Sequence, residues 1–440
     1  MKKVLAVAFA IVQAVETAAS PQGAGFGQVL SSGNAWRYSP ATFFKAHGRE
    51  GFRALTAKKD SFTCQRFGGV SFAGRKSYET KVWFSSGDDY GRLSRVEISL
   101  FNRGDSKSAM PANELEGMLS DVREEIGSGK NAKWGPVDRR EKNGFYEYSQ
   151  LYEARNSRGE LGWAVSKHSK GAPSEVGYVR VSLTPPSGKK TLSLPVRKSG
   201  SPAALSKIAA NVVRRANGDV LIDNVPMVDQ GQKGYCAVAT AERVLRYYGI
   251  NVDEHALAQM AGTSATMGTS TGAMVETVRK IGISQRLAKN EIYMTRITGS
   301  SFSKLLSDYD KLAKKAGKEP LGPRFRNGDY RGFLSEADPA VYRTLRMKDS
   351  GSFSKFMSGI KRQIGLGIPL FWGVVLGIVP EEGLPQANGG HMRLVIGYNE
   401  KTGEILYSDS WGMGHEEKRM KAADAWTITN NLFFLRSLVR

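Results

Sequence analysis

The order of helical and strand-like segments in the second half of the chain constrains its fold most. Helical spacing appears first, from Cys236 to Tyr248 with a stop at Gly249. Short helices follow, one capped by Asp253 and ending before Gly262, another capped by Ser270 or Thr271 and ending before Gly282, and then a longer one over Ser352–Ile364. Only after these come three apolar runs, Ile368–Leu376, His391–Tyr398 and Ile405–Asp409, which read as buried strands with turns between them. Helices first and strands afterwards is the pattern of an α+β fold, not of alternating βαβ units. Residues 290–350 read as polar and loop-rich, with one helix near Ser303–Ala316.

The chain has 440 residues, enough for two or three domains. Residues 20–185 read as a separate N-terminal α+β domain of unknown role, with a propeptide-like inhibitor, a substrate-binding module and a spacer all open to it. Tyr78, Thr80, Val82 and Phe84 alternate as one strand face, and Val96, Ile98 and Leu100 as another. Leu115, Met118, Leu119, Val122 and Ile126 lie at helical spacing between Asn113 as cap and Gly127 as stop. Phe145–Ala154 and Leu161–Val165 flank a hairpin turn at Asn156-Ser157-Arg158-Gly159, and Val176–Leu183 is a further strand. Pro185-Pro186-Ser187-Gly188 and Ser199-Gly200-Ser201-Pro202 mark residues 186–219 as linker, with a helix over Ala203–Ala216. The second domain then occupies residues 220–440.

Residues 1–19 carry the three parts of a signal peptide: Lys2 and Lys3, an apolar run from Val4 to Val15, and small residues at Thr17-Ala18-Ala19-Ser20. The expected location is therefore secreted or periplasmic. No later stretch is long and apolar enough for a transmembrane helix. Two cysteines, Cys64 and Cys236, are too few for a disulfide framework. Either they pair with each other, or at least one is kept free for chemistry. The net charge of +21, or +20 once Lys2, Lys3 and Glu16 leave with the leader, favours anionic surfaces or acidic proteins as partners. No nucleic-acid motif accompanies that charge, no phosphate-binding Gly-Lys-Ser/Thr loop is present, and the histidines have no metal-ligand spacing. No cofactor and no metal are expected.

The candidate chemistry begins at Gln230-Gly231-Gln232-Lys233-Gly234-Tyr235-Cys236. A cysteine in the first turn of a helix feels the positive end of the macrodipole, which favours the nucleophilic thiolate. Gln230 is placed to fold back and share an oxyanion hole with the Cys236 backbone N–H; Gln232 is the competing donor, and spacing favours Gln230. Of the five histidines, His391 has the best setting, because Gly389-Gly390 lead into it and an apolar strand follows. Asp409 ends the next strand, across the turn Asn399-Glu400-Lys401-Thr402-Gly403. As antiparallel neighbours, the two strands bring His391 and Asp409 to one edge, where a carboxylate can fix the imidazole's tautomer. Trp411 is placed to shield that bond from water. His415, in a charged stretch, reads as solvated, and His255 as structural.

These residues match a family pattern. Gln230-Gly231-x-x-Gly234-x-Cys236, Gly390-His391 with Val395-x-Gly397-Tyr398, and Asp409-Ser410-Trp411-Gly412 resemble papain-like cysteine peptidases. The closer resemblance is to the bacteriocin-processing (double-glycine leader) peptidase branch, through Arg246-Tyr247-Tyr248-Gly249, Gly268-Thr269-Ser270 and an Asp at 409. The resemblance covers roughly residues 220–412. It implies a papain-like fold, a helical subdomain with an antiparallel sheet, and hydrolysis of peptide or protein substrates. In it Cys236 is the nucleophile, His391 the base, Asp409 the orienting residue and Gln230 the oxyanion donor. Ala237 stands where papain-type enzymes usually carry tryptophan, Lys233 where many carry a disulfide cysteine, and the stretch between Lys289 and Gly351 has no counterpart. Two other readings stay open: a transglutaminase-like acyltransferase or cell-envelope amidase with the same triad, and an inactive secreted binding protein on a peptidase scaffold.

Overall fold

The computed structural model describes residues 24–65, 69–85, 91–103, 106, 108–127, 132–142, 145–166, 175–186, 205–231, 235–250, 257, 275–276, 278–279, 282, 286–386 and 388–438. The leader expected at 1–19, most of the expected linker and most of the helices expected after Asp253 and Ser270 fall outside these residues. So do Gln232, Lys233, His168, His255 and Gly268-Thr269-Ser270. The chain divides into two compact units, Met1–Val196 and Arg197–Arg440.

The first unit is built on one antiparallel sheet. Its elements are helices α1 (Phe26–Ser31) and α2 (Pro40–His47), strands β1 (Arg53–Ala54) and β2 (Ser61–Gln65), a small hairpin β3 (Ser71–Phe72) and β4 (Arg75–Lys76), β5 (Glu79–Phe84), β6 (Leu93–Asn102), helix α3 (Ala112–Gly127), and strands β7 (Lys133–Lys142), β8 (Phe145–Glu153), β9 (Arg158–Ser166) and β10 (Val176–Thr184). The strand order is β1-β2-β5-β6-β10-β9-β8-β7. The expected hairpin is present: β8 and β9 pair from Phe145 opposite Ser166 to Glu153 opposite Arg158. Leu115, Met118, Leu119 and Val122 of α3 share one buried cluster with Val82, Val96, Ile98 and Leu100, which is how the alternating and helical spacings of the sequence are used up. Cys64 lies buried on β2, where its thiol donates to the Glu50 carbonyl at 3.2 Å.

The second unit begins with α4 (Leu205–Ala209), then β11 (Val212–Arg214) and β12 (Asp219–Ile222). The helix expected over Ala203–Ala216 is thus only one turn and a half. The β-branched pair Val212-Val213 instead enters a hairpin with β12, turning at Gly218, whose φ is +99°. Next come α5 (Cys236–Tyr247), β13 (Leu287–Met294), and helices α6 (Gly299–Lys315), α7 (Gly322–Phe325), α8 (Tyr330–Glu336), α9 (Pro339–Met347) and α10 (Ser350–Gly365). The chain ends in β14 (Leu370–Leu376), β15 (Gly389–Asn399), β16 (Glu404–Ser408), β17 (Lys418–Lys421), α11 (Ala422–Ile428) and β18 (Thr429–Ser437). Residues 290–350 are therefore mostly helical, not loop-rich. Their polar residues are caps: Thr298 and Ser301 form a capping box on α6, and Asp329, Asp338 and Asp349 accept the first free N–H groups of α8, α9 and α10.

The sheet of this unit runs β11-β12-β15-β14-β18-β13, and β16 and β17 continue from β15. β15 is its centre. β14 pairs with Gly389–Val395, β12 with Gly397–Asn399, and β16 with Leu394–Asn399. α5 packs on β15, with Val238, Ala241, Val244 and Leu245 in the same buried cluster as Leu394, Val395 and Ile396. Burying an aliphatic side chain of this size stabilises by roughly 1.5–3 kcal/mol. The start of α5 and the start of β15 are thereby held against one another.

Candidate active site

Strand pairing decides what meets at this edge. Leu394 of β15 lies opposite Ser408 of β16, so His391, upstream of Leu394, and Asp409, just past Ser408, project from the same end of the hairpin. His391 Nε2 donates to Asp409 Oδ1 at 2.8 Å, and both side chains are fully shielded from solvent. Trp411 lies flat on the imidazole, with ring centroids 4.2 Å apart and planes 2° from parallel. It closes the solvent side of the pair.

Cys236 is the first residue of α5, after Tyr235 as N-cap. Helical spacing puts Cys236, Thr240 and Arg243 on one stripe of α5. Thr240 Oγ1 donates to the Cys236 carbonyl at 2.6 Å and sits 3.2 Å from the Met392 carbonyl, tying the helix tip to the residue after His391. His391 Nδ1 is buried with no hydrogen-bond partner among the described residues; beside Asp409, the Cys236 thiol is the titratable group that acts on the ring. Cys236 keeps partial exposure, and both cysteines are free thiols.

The electrostatics follow from that contact. Burial on its own would raise the Cys236 thiol, but the hydrogen bond and charge of His391, with the neighbouring Met392 and Ala237 backbone, bring it below its ordinary value. Burial would likewise lower His391; the Asp409 hydrogen bond, then the thiol, hold it above its ordinary value. Burial would raise Asp409, and the Arg393 guanidinium, followed by His391, keeps it below the usual carboxylate range. The arrangement favours a thiolate–imidazolium pair.

Gln230 comes to the same edge. Its backbone N–H donates to the Ser410 carbonyl at 2.7 Å, and Ser410 Oγ donates to Gln230 Oε1 at 2.7 Å. That bond assigns the amide's oxygen, rather than its NH2, to Ser410. The loop carrying Gln230 is pinned at Gly231, whose N–H donates to Asp229 Oδ1 at 2.8 Å and whose φ is +64°.

Two buried arginines belong to the site and were not singled out in the sequence. Arg393 Nε donates to Asp409 Oδ1 at 3.0 Å, and its Nη1 donates to both oxygens of Glu381. Arg243 donates to the carbonyls of Pro226 and Asp409 at 2.8 and 2.9 Å and to Ser408 Oγ at 2.5 Å. It stitches the segment before Gln230 to the segment bearing Asp409. His415 is not solvated as expected. It is half-buried, its ring stands edge-on to Trp411, its carbonyl accepts the Asp409 N–H at 2.9 Å, and desolvation holds its imidazole below the ordinary value. The charged neighbours that suggested exposure point elsewhere; Glu417, for one, pairs with Arg215 and Arg419. Among the described residues no group of three or more His, Cys, Asp or Glu side chains is placed to hold a metal ion, and no helix is long and apolar enough to cross a membrane.

Residues 222–317 match the Peptidase_C39 like family. That match relates the chain to the papain-like cysteine peptidases. Among solved structures the chain is similar to xylellain, a cysteine protease from Xylella fastidiosa, at 11% identity and a TM-score of 0.26, over 55% of this chain and 91% of that one. No curated protein matches.

Proposed function

We propose that this relative of the papain-like cysteine peptidases hydrolyses peptide bonds through a thioester acyl-enzyme on Cys236. The Cys236 thiolate attacks the substrate carbonyl carbon. The carbonyl electron pair moves to oxygen, where the Gln230 NH2 and the Cys236 N–H receive it. His391, as imidazolium, gives its Nδ1 proton to the leaving amine, and the thioester forms. Water then attacks the thioester, His391 takes its proton, and collapse of the second tetrahedral species returns the thiolate and releases the acid. Asp409 holds Nε2–H throughout and so keeps Nδ1 turned to the sulfur. The fold is of the papain type, and the chain acts outside the cytoplasm after export by residues 1–19.

The observation that carries this reading is the buried, hydrogen-bonded pair His391–Asp409, with the Cys236 thiol acting on the same imidazole, at the meeting of α5, β15 and β16. The test is Cys236→Ala against the parent on unfolded protein and mixed peptide substrates in reducing buffer. Hydrolysis is expected to fall to background in the variant; equal rates in both would remove the proposal.

A further inference from the structure

The carboxylate that orients His391 is itself held. Asp409 Oδ1 accepts from His391 Nε2 at 2.8 Å and from Arg393 Nε at 3.0 Å, while Oδ2 is buried with no hydrogen-bond partner among the described residues. The whole hold on the imidazole therefore passes through one oxygen that a guanidinium shares. Arg393 is fully buried and cannot swing to solvent. On its far side Glu381 takes Nη1 with both oxygens, at 3.1 and 2.9 Å, and Tyr407 Oη donates to Glu381 Oε2 at 2.6 Å. The guanidinium also lies over the rings of Tyr407, at 4.6 Å, and Trp372, at 5.6 Å. Such a caged, oriented cation in the middle of an apolar strand is costly to desolvate, and structural need alone is served as well by an apolar side chain.

We propose that Arg393 is a positioning residue of the catalytic apparatus, which keeps Asp409 ionised and aimed at His391 while Glu381 and Tyr407 fix the guanidinium. The inference rests on the peptidase reading of the same site. A buried carboxyl without a cation takes up a proton near neutrality, and a neutral Asp409 no longer supports the imidazolium that draws the proton from Cys236. The other groups facing Asp409 do not replace Arg393. His391 is the group being oriented. Arg243, on α5, is a second buried cation that feels the Asp409 charge, but its N–H groups go to backbone carbonyls and Ser408 and none donates to the carboxylate, so it does not aim it. His415 is held below its ordinary value and so is neutral at pH 7, and Tyr407 of β16 is uncharged, burial pushing its phenol up.

The test is the pH dependence of Cys236 alkylation by iodoacetamide in the full chain, read on the Cys236 peptide by mass spectrometry, together with kcat and KM. Arg393→Gln is expected to move the acid limb of alkylation upward by about one to three units and to lower kcat with little change in KM. Arg393→Lys, which keeps the charge, is expected to restore most of the limb. If the single variant leaves Glu381 as an uncompensated buried charge and fails to fold, Arg393→Gln with Glu381→Gln removes both charges together and is expected to give the same upward limb. A folded variant without the guanidinium whose limb coincides with the parent's overturns the proposal. Failure of the peptidase reading is a separate outcome: the parent then shows no peptide hydrolysis, whatever the position of the limb.

Discussion

Removing the ring of Trp411 tests whether the packing at the site sets its chemistry. The indole lies parallel to His391 at 4.2 Å, and the pair it covers is fully buried. A cation against a tryptophan face gains about 2 kcal/mol when desolvated. His391 is held above its ordinary value, so the ring stabilises the imidazolium more than the neutral form. At 1.36 kcal/mol per unit, loss of that contact lowers the imidazole by about 1.5 units. Trp411→Ala also admits water, which weakens the Asp409 bond but relieves the burial that lowers the imidazole, so these two effects oppose each other and the lost ring contact sets the direction. The thiolate loses the corresponding stabilisation, so the acid limb of kcat/KM moves upward by about one unit or more. Trp411→Phe keeps a ring face and is expected to shift the limb by less than half as much. The assay is kcat/KM on a fluorogenic peptide from pH 4 to 9, with circular dichroism to confirm folding. A folded Trp411→Ala protein with the parent's acid limb would refute the coupling of stacking to ionisation.

Two further predictions concern the scaffold. Arg243→Met strips its partners from Pro226, Asp409 and Ser408, and because each buried polar group left unsatisfied costs about 1–3 kcal/mol, urea unfolding is expected to show a loss of about 3 kcal/mol or more; a change within about 0.5 kcal/mol contradicts the stitching role. Asp219 is buried and held far below the usual carboxylate range by hydrogen bonds from Arg419, aided by Asn399 and Asn217. A depressed carboxyl stabilises the fold above its unfolded value of about 3.9 and ceases to as pH falls through the folded value, so the stability advantage of the parent over Asp219→Asn is expected to be constant from pH 7 to 5 and to shrink below about pH 4; an advantage that does not change with pH refutes it.

Much of this site was legible because it depends on local pattern. The turn at 399–403 between two apolar runs fixes β15 against β16, and the pairing then leaves His391 and Asp409 no choice but a common edge. The helix after Cys236 was legible from its apolar spacing and Gly249. Arg393 and Arg243 were passed over although a signal existed. Arg393 lies two residues after His391, hence on the same face of β15, and Arg243 lies seven after Cys236 on the same stripe of α5. A charged residue at such a place in an apolar run is a statement about a partner, but the partner, Asp409 or its backbone, is distant in sequence and visible only once the sheet is formed. The helices of 290–350 were missed for another reason. Asp329, Asp338 and Asp349 look like loop composition, whereas each begins a helix as a cap, Asp338 with Pro339 behind it. Strands β17 and β18 are set by long-range pairing with β16, β14 and β13, which no local period reveals.

The central claim is that Cys236 is ionised by His391. Its most direct measurement is the pH dependence of thiolate absorbance at 240 nm in the parent, with Cys236→Ala subtracted to remove Cys64, whose thiol burial pushes up to about 11. A thiolate signal that titrates in well below the ordinary thiol value of about 8.5, and that returns to or above that value in His391→Ala, is the predicted result. An absorbance step near or above 8.5 in the parent, unmoved by His391→Ala, would contradict the account.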